Sequence, residues 1–180
     1  NYIPNPNRYY DDYGNKDDVN FYTEASHNVT SQLNLFTDLQ YRMVFYDATS
    51  VKFDDVNDTF RFFNPKAGLN YQLNDKNAFY GYFGIANKEP RRDDYESGAI
   101  KPERLFDYEL GWKYNTKKVK LWANAFYMRY NDQLVATGEL NDVGSAKFIN
   151  VPKSYILGLE VEAQIKPIDK WILQPNITIS

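Results

Sequence analysis

The stretch RLFDYELGWKY, residues 104–114, alternates large apolar or aromatic side chains with small or charged ones. In an extended strand, successive side chains point to opposite faces of the sheet. This alternation therefore predicts a strand with one apolar face and one charged face along its whole length. The apolar face would carry Phe106, Tyr108, Leu110, Trp112 and Tyr114, and the charged face Asp107, Glu109 and Lys113.

The same period of two recurs along the chain and predicts eight strands with no convincing helix. Segment 119–131 is unusual because Trp122, Phe126, Met128 and Tyr130 are apolar on the face opposite its apolar stripe. A bulge, or a contact between this second face and another part of the protein, would explain it. The other predicted strands are 19–28, 33–46, 63–73, 78–88, 157–165 and 171–179.

Two kinds of connection alternate along the chain. Short turns rich in Asn, Asp and Lys are predicted at 28–32, 74–77, 115–117 and 166–170, and long polar loops at 1–18, 47–58, 89–103 and 138–153. In an antiparallel sheet, this alternation places all short turns at one end and all long loops at the other.

Composition excludes several classes of protein. Lys and Arg number 21 against 24 Asp and Glu, so there is no basic field to hold nucleic acid. The absence of Cys excludes disulfides, thiolate metal sites and Cys nucleophiles. The mean hydropathy is -0.66, and no run approaches the roughly 18 apolar residues of a membrane-spanning helix. Aromatic residues make up 17% of the chain, which suits strands.

Alternation alone fits a soluble β-sandwich as well as a membrane β-barrel. Strands of about 11 to 15 residues, however, exceed the usual 5 or 6 and match what a tilted strand needs to cross a bilayer. The alternation of short and long connections, and aromatic residues near the strand ends, are also typical of outer-membrane barrels. We therefore predict an all-β fold, an antiparallel transmembrane β-barrel section with short periplasmic turns and long extracellular loops.

The face assignment follows from the cost of placing charges in lipid. Arg or Lys facing the bilayer midplane costs about 2 to 4 kcal/mol. The apolar stripes must then face lipid and the charged stripes the lumen. The predicted lumen-facing residues are Asp107, Glu109, Lys113, Glu160 and Glu162.

Four runs resemble the barrel of TonB-dependent outer-membrane receptors, particularly those of Bacteroidota. They are ANKEPRRDDY (86–95), KPERLFDYELGWKY (101–114), NAFYMRYNDQLVATGELNDVG (124–144) and NVPKSYILGLEVEA (150–163). The strongest match is a set of residues on one predicted strand and the segment leading into it: Asn150, Ser154, Gly158, Glu160 and Glu162. The resemblance covers the chain from about Ala78 to its end, and the strand spacing extends it to the start.

This resemblance implies a receptor in the bacterial outer membrane with a plugged barrel of about 22 strands. Such receptors bind a scarce nutrient, a ferric siderophore, haem, cobalamin or a glycan, at their outer loops, and the TonB complex drives its uptake. The implied partners are this small molecule, outer-membrane lipid and, in glycan importers, a surface lipoprotein. We expect no cofactor and no enzymatic activity.

The chain has no recognisable TonB box or plug, and it ends on NITIS without a terminal aromatic residue. We therefore expect residues 1–180 to be a single region, an internal section of a larger barrel domain. The TonB complex would act through the N-terminal part that is absent here.

Candidate ligand-binding residues lie in the predicted outer loops. Arginine suits anionic chelates, and aromatic side chains suit glycans and flat chelates. The alternative is a solvated loop or an internal Arg-to-Asp lock between neighbouring loops. The candidates are Arg91, Arg92, Asp93, Asp94, Tyr95, Tyr10 and Tyr13.

Catalytic and metal sites have little support. His27 is the only histidine, so the sequence offers little support for a catalytic triad and none for a metal site with several histidine ligands. The acidic runs at 11–18 and 54–58 do not have the EF-hand spacing. We predict no metal site.

The sequence pattern leaves two other classes of function open. A self-contained eight-stranded outer-membrane barrel could act as a structural anchor or adhesin. A soluble antiparallel sandwich could act as a binding module.

Overall fold

The computed structural model describes residues 11–141 and 144–180. They form one antiparallel sheet in which each strand pairs with the next along the chain. The described part contains no helix long and apolar enough to cross a membrane. The elements are β1 (Tyr13–Asn28), β2 (Leu33–Ser50), β3 (Phe53–Gln72), β4 (Asn77–Lys88), α1 (Arg92–Glu96), β5 (Glu103–Asn115), β6 (Val119–Leu140), β7 (Ala146–Ile165) and β8 (Asn176–Ile179).

The short turns β1–β2, β3–β4 and β5–β6 are confirmed, and a polar side chain closes each of them. The Thr30 hydroxyl accepts hydrogen bonds from the backbone N–H groups of Gln32 and Leu33. The Asn74 side-chain oxygen accepts from Lys76 and Asn77. These hydroxyl and amide groups satisfy turn backbone that a two-strand ladder leaves unpaired, which is why Thr and Asn occur there.

The opposite end of the sheet differs from the prediction because the strands continue into stretches that were expected to be loops. β2 and β3 are separated only by residues 51 and 52, so the predicted loop 47–58 is mostly hairpin. Likewise, β6 and β7 occupy most of the predicted loop 138–153. Backbone pairing does not require an apolar face, and polar pairs such as Asp47 with Asn57 continue the ladder beyond the apolar band.

Three further bounds were predicted wrongly. β1 begins at Tyr13, inside the predicted loop 1–18, whose first ten residues lie outside the described range. The five-residue helix α1 lies in the predicted loop 89–103. The predicted strand 171–179 is reduced to β8, preceded by an isolated bridge from Ile165 to Leu173. Pro175, which has no backbone N–H to donate, interrupts that strand.

The register joins the apolar stripes into one continuous surface, here called the apolar face. Along one row of pairs, each residue lies directly opposite the next on the neighbouring strand, from β1 to β8. Much of this row is exposed, with Leu110 at 71%. The row comprises His27, Leu35, Leu69, Gly81, Leu110, Ala125, Leu159 and Ile179.

The opposite surface, here called the polar face, carries the charged stripes and also explains the unusual segment 119–131. The ring of Phe126 covers Gly158, directly opposite on β7, where a Cβ atom would overlap the ring. The pairing of β6 with β7 has no irregularity before Ala136, so a bulge in this segment is excluded. Aromatic rings on this face pack over facing glycines. Phe36 covers Gly68 in the same way.

The described residues form a single-layered sheet, and no second layer among them buries its apolar face. Within the described ranges, the buried apolar residues are Val44, Ala48, Phe62, Tyr95 and Ala99. Tyr108, Leu110, Leu157 and Trp171 are all exposed. A soluble sandwich would cover these side chains with a second sheet, so the single layer argues against that class.

The face assignment predicts opposite effects for neighbouring residues on β5. In the complete polypeptide, Leu110→Arg places a cation on the apolar face and should abolish membrane assembly, at a cost of about 2 to 4 kcal/mol. Glu109→Gln keeps an oxygen that can accept from the Asn124 amide, which donates to Glu109 at 3.0 Å, and should assemble normally. The folded fraction is read from heat-modifiable migration of the outer-membrane receptor. Equal assembly of the two variants would refute the assignment.

Candidate functional site

Residues 89–102, here called the α1 loop, connect β4 to β5 and contain most of the candidate ligand-binding residues. The backbone N–H of Arg91 donates to the Asp94 carboxylate at 2.7 Å, which closes the first turn of α1. Gly98 ends the helix with a φ of 77°, which glycine adopts without strain. The Ala99 N–H then donates a hydrogen bond to the carbonyl of Asp94 at 2.8 Å. The sequence therefore encodes a compact, capped turn.

Tyr95 anchors the α1 loop to the polar face. Its ring is 7% exposed and packs against Tyr46 and Phe53, with ring centroids 5.6 and 6.1 Å apart. Its hydroxyl donates to the Asp58 carboxylate at 2.5 Å. Burial, together with this hydrogen bond to Asp58, raises the pKa of the Tyr95 phenol, so the hydroxyl stays protonated as a donor.

A charged cluster fixes the start of the α1 loop to β1 and β2. Glu89 accepts from Arg42 at 2.7 Å and from Lys16 at 2.5 Å, and Arg42 also binds Asp18. Burial alone would raise the pKa of Glu89, but the hydrogen bonds from Arg42 and Lys16 lower it to about 2. Glu89 is therefore a permanently ionised anchor at neutral pH.

The exposed arginines of the loop differ in their contacts. Arg92 forms ion pairs with Asp12 and with Glu96, and Lys52 at the β2–β3 hairpin binds Glu96 from the other side at 3.2 Å. The Arg91 side chain is 57% exposed and lies over the Phe148 ring of β7 at 5.2 Å. Of the two, Arg91 leaves more of its guanidinium accessible to a ligand.

The end of the α1 loop is held by β6 and β7. The Asn150 side chain accepts from the Lys101 N–H at 3.1 Å and donates to the carbonyls of Lys101 and Asp132, each at 2.9 Å. Lys101 also pairs with the Asp132 carboxylate at 3.5 Å. The α1 loop is thus attached at one end to β1 and β2 and at the other to β6 and β7.

The structure brings Arg91, Arg92, Asp93, Asp94 and Tyr95 together on α1 and its N-terminus. Asp94 is fully buried and Tyr95 nearly so, whereas the other three are exposed. Tyr13 lies elsewhere, opposite Thr49 on β2, and Tyr10 lies outside the described residues. Direct binding by any of these side chains stays a prediction.

The five predicted lumen-facing residues share the polar face with the buried Asn124. Asp107 and Glu109 are neighbours on β5, and Glu160 lies opposite Asn124. The Lys113 ammonium lies over the Tyr80 ring at 5.3 Å, and Glu162 lies opposite Trp122. One oxygen of Asp107 and the side-chain oxygen of Asn124 are buried without a hydrogen-bond partner among the described residues.

Sequence reasoning missed the residues that hold the loop. Arg42 lies on the polar face of β2, and its bond to Glu89 joins residues 47 positions apart, which no local pattern reports. Asn150 was noted only as part of the family resemblance. In the described ranges, no group of His, Asp or Glu side chains has a metal-binding arrangement. Asp12, Asp18 and Asp58, from the acidic runs, instead bind Arg92, Arg42 and Tyr95.

A long-stranded antiparallel sheet with one apolar face and one charged face is the architecture of an outer-membrane β-barrel wall. Comparison with protein families is consistent with this class: residues 1–179 match the model described as "TonB dependent receptor-like, beta-barrel". The chain belongs to this family. Receptors of the family lie in the bacterial outer membrane.

Solved structures show the same fold. The chain superposes on the copper transporter OprC with a TM-score of 0.76 at 16% identity, covering 92% of this chain and 29% of that one. For the alcaligin receptor FauA of Bordetella pertussis, the TM-score is 0.67 at 16% identity, with coverages of 93% and 31%. For the ferripyoverdine receptor of Pseudomonas aeruginosa, it is 0.66 at 24% identity, with coverages of 96% and 23%. The chain thus spans less than a third of each of these proteins. A search of curated protein sequences finds no match.

Removing the Tyr95 hydroxyl should loosen the α1 loop without unfolding the sheet. Tyr95→Phe deletes the bond to Asp58 and leaves that carboxylate without its donor, at a cost of about 1 to 3 kcal/mol. Hydrogen exchange of residues 89–102 in the complete receptor should accelerate accordingly. Tyr22→Phe is the matched control, because Tyr22 is 74% exposed. Unchanged exchange in the Tyr95 variant would show that the hydroxyl does not hold the loop.

The Glu89 cluster predicts a pH dependence of loop opening. Because the pKa of Glu89 falls from an ordinary 4.5 to about 2 in the closed loop, its stabilisation is complete above about pH 4.5. The stabilisation of the closed loop by Glu89 should be lost as pH falls towards 2, and the loss should be at most on the order of 3 kcal/mol. The rate of hydrogen exchange at 89–102, corrected for intrinsic rates, measures this. In the Glu89→Gln variant, residues 89–102 should exchange faster at pH 7, and this component of the pH dependence should be absent. A pH profile identical to that of the wild type would contradict the role assigned to Glu89.

Proposed function

We propose that this chain is part of the wall of a receptor that imports a scarce nutrient across the bacterial outer membrane with energy supplied by the TonB complex. The observation that carries the proposal is the family match over residues 1–179. The names of similar structures, which include a copper transporter, an alcaligin receptor and a ferripyoverdine receptor, support metal or metal-chelate uptake. The candidate cargo is a ferric siderophore, haem, cobalamin or a glycan, and as cargo it is not a resident cofactor.

The α1 loop is the proposed contact with this cargo. Arg91 offers an exposed guanidinium, and Asp93 is exposed beside it, while Tyr95 and Asp94 hold the turn that presents them. A guanidinium suits the carboxylate or other anionic oxygens of a chelate. Within the predicted set, we therefore assign Arg91 a direct role and Tyr95 and Asp94 a positioning role.

The polar face is the proposed lumen wall. Asp107, Glu109, Lys113, Glu160 and Glu162 would line it, and the unpartnered oxygens of Asp107 and Asn124 require donors from outside the described sheet. An N-terminal plug domain would supply such donors. The TonB complex would act through that domain, and a surface lipoprotein would be an additional partner only if the cargo is a glycan.

The alternative function, a self-contained eight-stranded barrel serving as an anchor or adhesin, requires β1 to pair with β8. In the described chain, β1 pairs only with β2, and β8 pairs only with β7, over four residues of β8. Such edges favour a section of a larger barrel, because an open strand edge cannot remain unpaired in lipid.

Uptake by cells that produce the complete receptor tests the proposal. Cells with the receptor, but not cells lacking it, should accumulate one labelled member of the four cargo classes. A protonophore should stop accumulation while leaving surface binding intact, because only import needs the proton-motive force. Arg91→Gln should weaken surface binding. Lys147→Gln is the charge control, because the Lys147 ammonium pairs with the exposed Glu139 on the β6–β7 hairpin and not with the α1 loop. Energy-independent accumulation, or none of the four cargoes, would refute nutrient import; an intact native mass near 21.1 kDa would instead support the small barrel.

A further inference from the structure

Three basic side chains occupy the apolar face at the end of the sheet where the α1 loop lies. Arg104 on β5 is opposite Asn131 on β6, which is in turn opposite Lys153 on β7. Arg129 lies one row further into the apolar face, opposite both Phe106 and Tyr155. With strands about 4.8 Å apart, the Cα atoms of Arg104 and Lys153 are separated by about 10 Å, with Arg129 between and below them.

The side chains of this cluster are exposed, and they have no anionic partner in the part of the chain that the structure describes. Arg104, Arg129 and Lys153 are each exposed. Arg104 donates to the Asn87 side chain at 2.9 Å, and the Arg129 guanidinium lies 5.9 Å from the centre of the Phe106 ring. Among residues 11–141 and 144–180, none of the three forms an ion pair with a carboxylate. No carboxylate among the described residues therefore pairs with their positive charge.

The surrounding apolar face carries no negative charge. In the paired segments 77–87, 104–114, 121–131 and 153–163, every Asp and Glu lies on the polar face. The same face of β1 and β2 differs, because it carries Asp17 and Asp47. The basic cluster is thus confined to β5–β7. Its described contacts are the amide hydrogen bond of Arg104 and the cation–π contact of Arg129.

An apolar surface continues directly from the cluster into the sheet. The next row is aromatic, with Phe83, Tyr108 and Tyr127 in successive contact at centroid distances of 4.9 and 6.1 Å. These rings also line a groove of about 650 Å³, whose other walls include the small and aliphatic residues Leu69, Gly81 and Leu110. Basic groups above aromatic rings and an apolar groove match a phosphate headgroup above its acyl chains.

We propose that Arg104, Arg129 and Lys153 form a binding site for a phosphorylated lipid of the surrounding membrane. The phosphate would occupy the triangle of cations, and an acyl chain would lie along the groove. Guanidinium and ammonium groups both bind phosphate oxygens, and the exposed Tyr155 beside Arg129 adds a hydroxyl at headgroup level. A soluble phosphate ion would use the cations but not the groove, so the continuous apolar surface favours a lipid. This site is separate from nutrient import and can be measured in the receptor without cargo.

Native mass spectrometry of the complete receptor in detergent tests the site. The protein is titrated with diphosphorylated lipid A, with the same lipid after enzymatic dephosphorylation, and with phosphatidylcholine. The wild type should retain the phosphorylated lipid preferentially. Each of Arg104→Gln, Arg129→Gln and Lys153→Gln should lower its apparent affinity by roughly fivefold, and the triple variant by at least about tenfold. Binding of the dephosphorylated lipid should change little.

Arg61→Gln is the matched control, because Arg61 lies on the same face on β3, opposite Met43 and away from the cluster. It should leave lipid retention unchanged. Equal retention by the wild type and the triple variant would overturn the proposal, as would equal retention of both forms of lipid A. Displacement of the lipid by millimolar inorganic phosphate would overturn the lipid assignment in favour of a soluble anion. If the triple variant does not assemble, the single variants carry the same readout.

Discussion

Continuous backbone pairing between neighbouring strands is the constraint on which the rest of the structure depends. In hydrocarbon, no water is present to satisfy an unpaired N–H or C=O, so each strand must keep its ladder through the apolar band. A ladder without register shifts also fixes which side chains share a face. The row from His27 to Ile179 and the aromatic rings packed over glycines both result from this single registration.

Much of the fold was predictable because the period of two is a local property. The faces of β5 could be assigned from residues 104–114 alone, and the short turns were predicted from segments rich in Asn, Asp and Lys. The strand extensions around Asp47 and Asn57 could not be predicted, because polar strands outside the apolar band have the composition of loops. Pro175 interrupts an alternation that otherwise predicts a longer β8.

The candidate site was predictable only in part. The run EPRRDDY indicated a charged loop, and its residues do lie together on and beside α1. The run could not show which charges are used internally, because Glu89, Arg42 and Asp58 come from distant parts of the chain. The chemistry of a surface loop therefore depends on the register of the strands beneath it, which a local pattern does not report.

The attachment of the α1 loop at both of its ends has a mechanical consequence. Glu89 is bound to β1 and β2, while Lys101 is bound through Asn150 to β6 and β7, so the loop connects strands near the two edges of the described sheet. Release of either end would remove a connection between strands that are otherwise joined only through the backbone ladders of the strands between them.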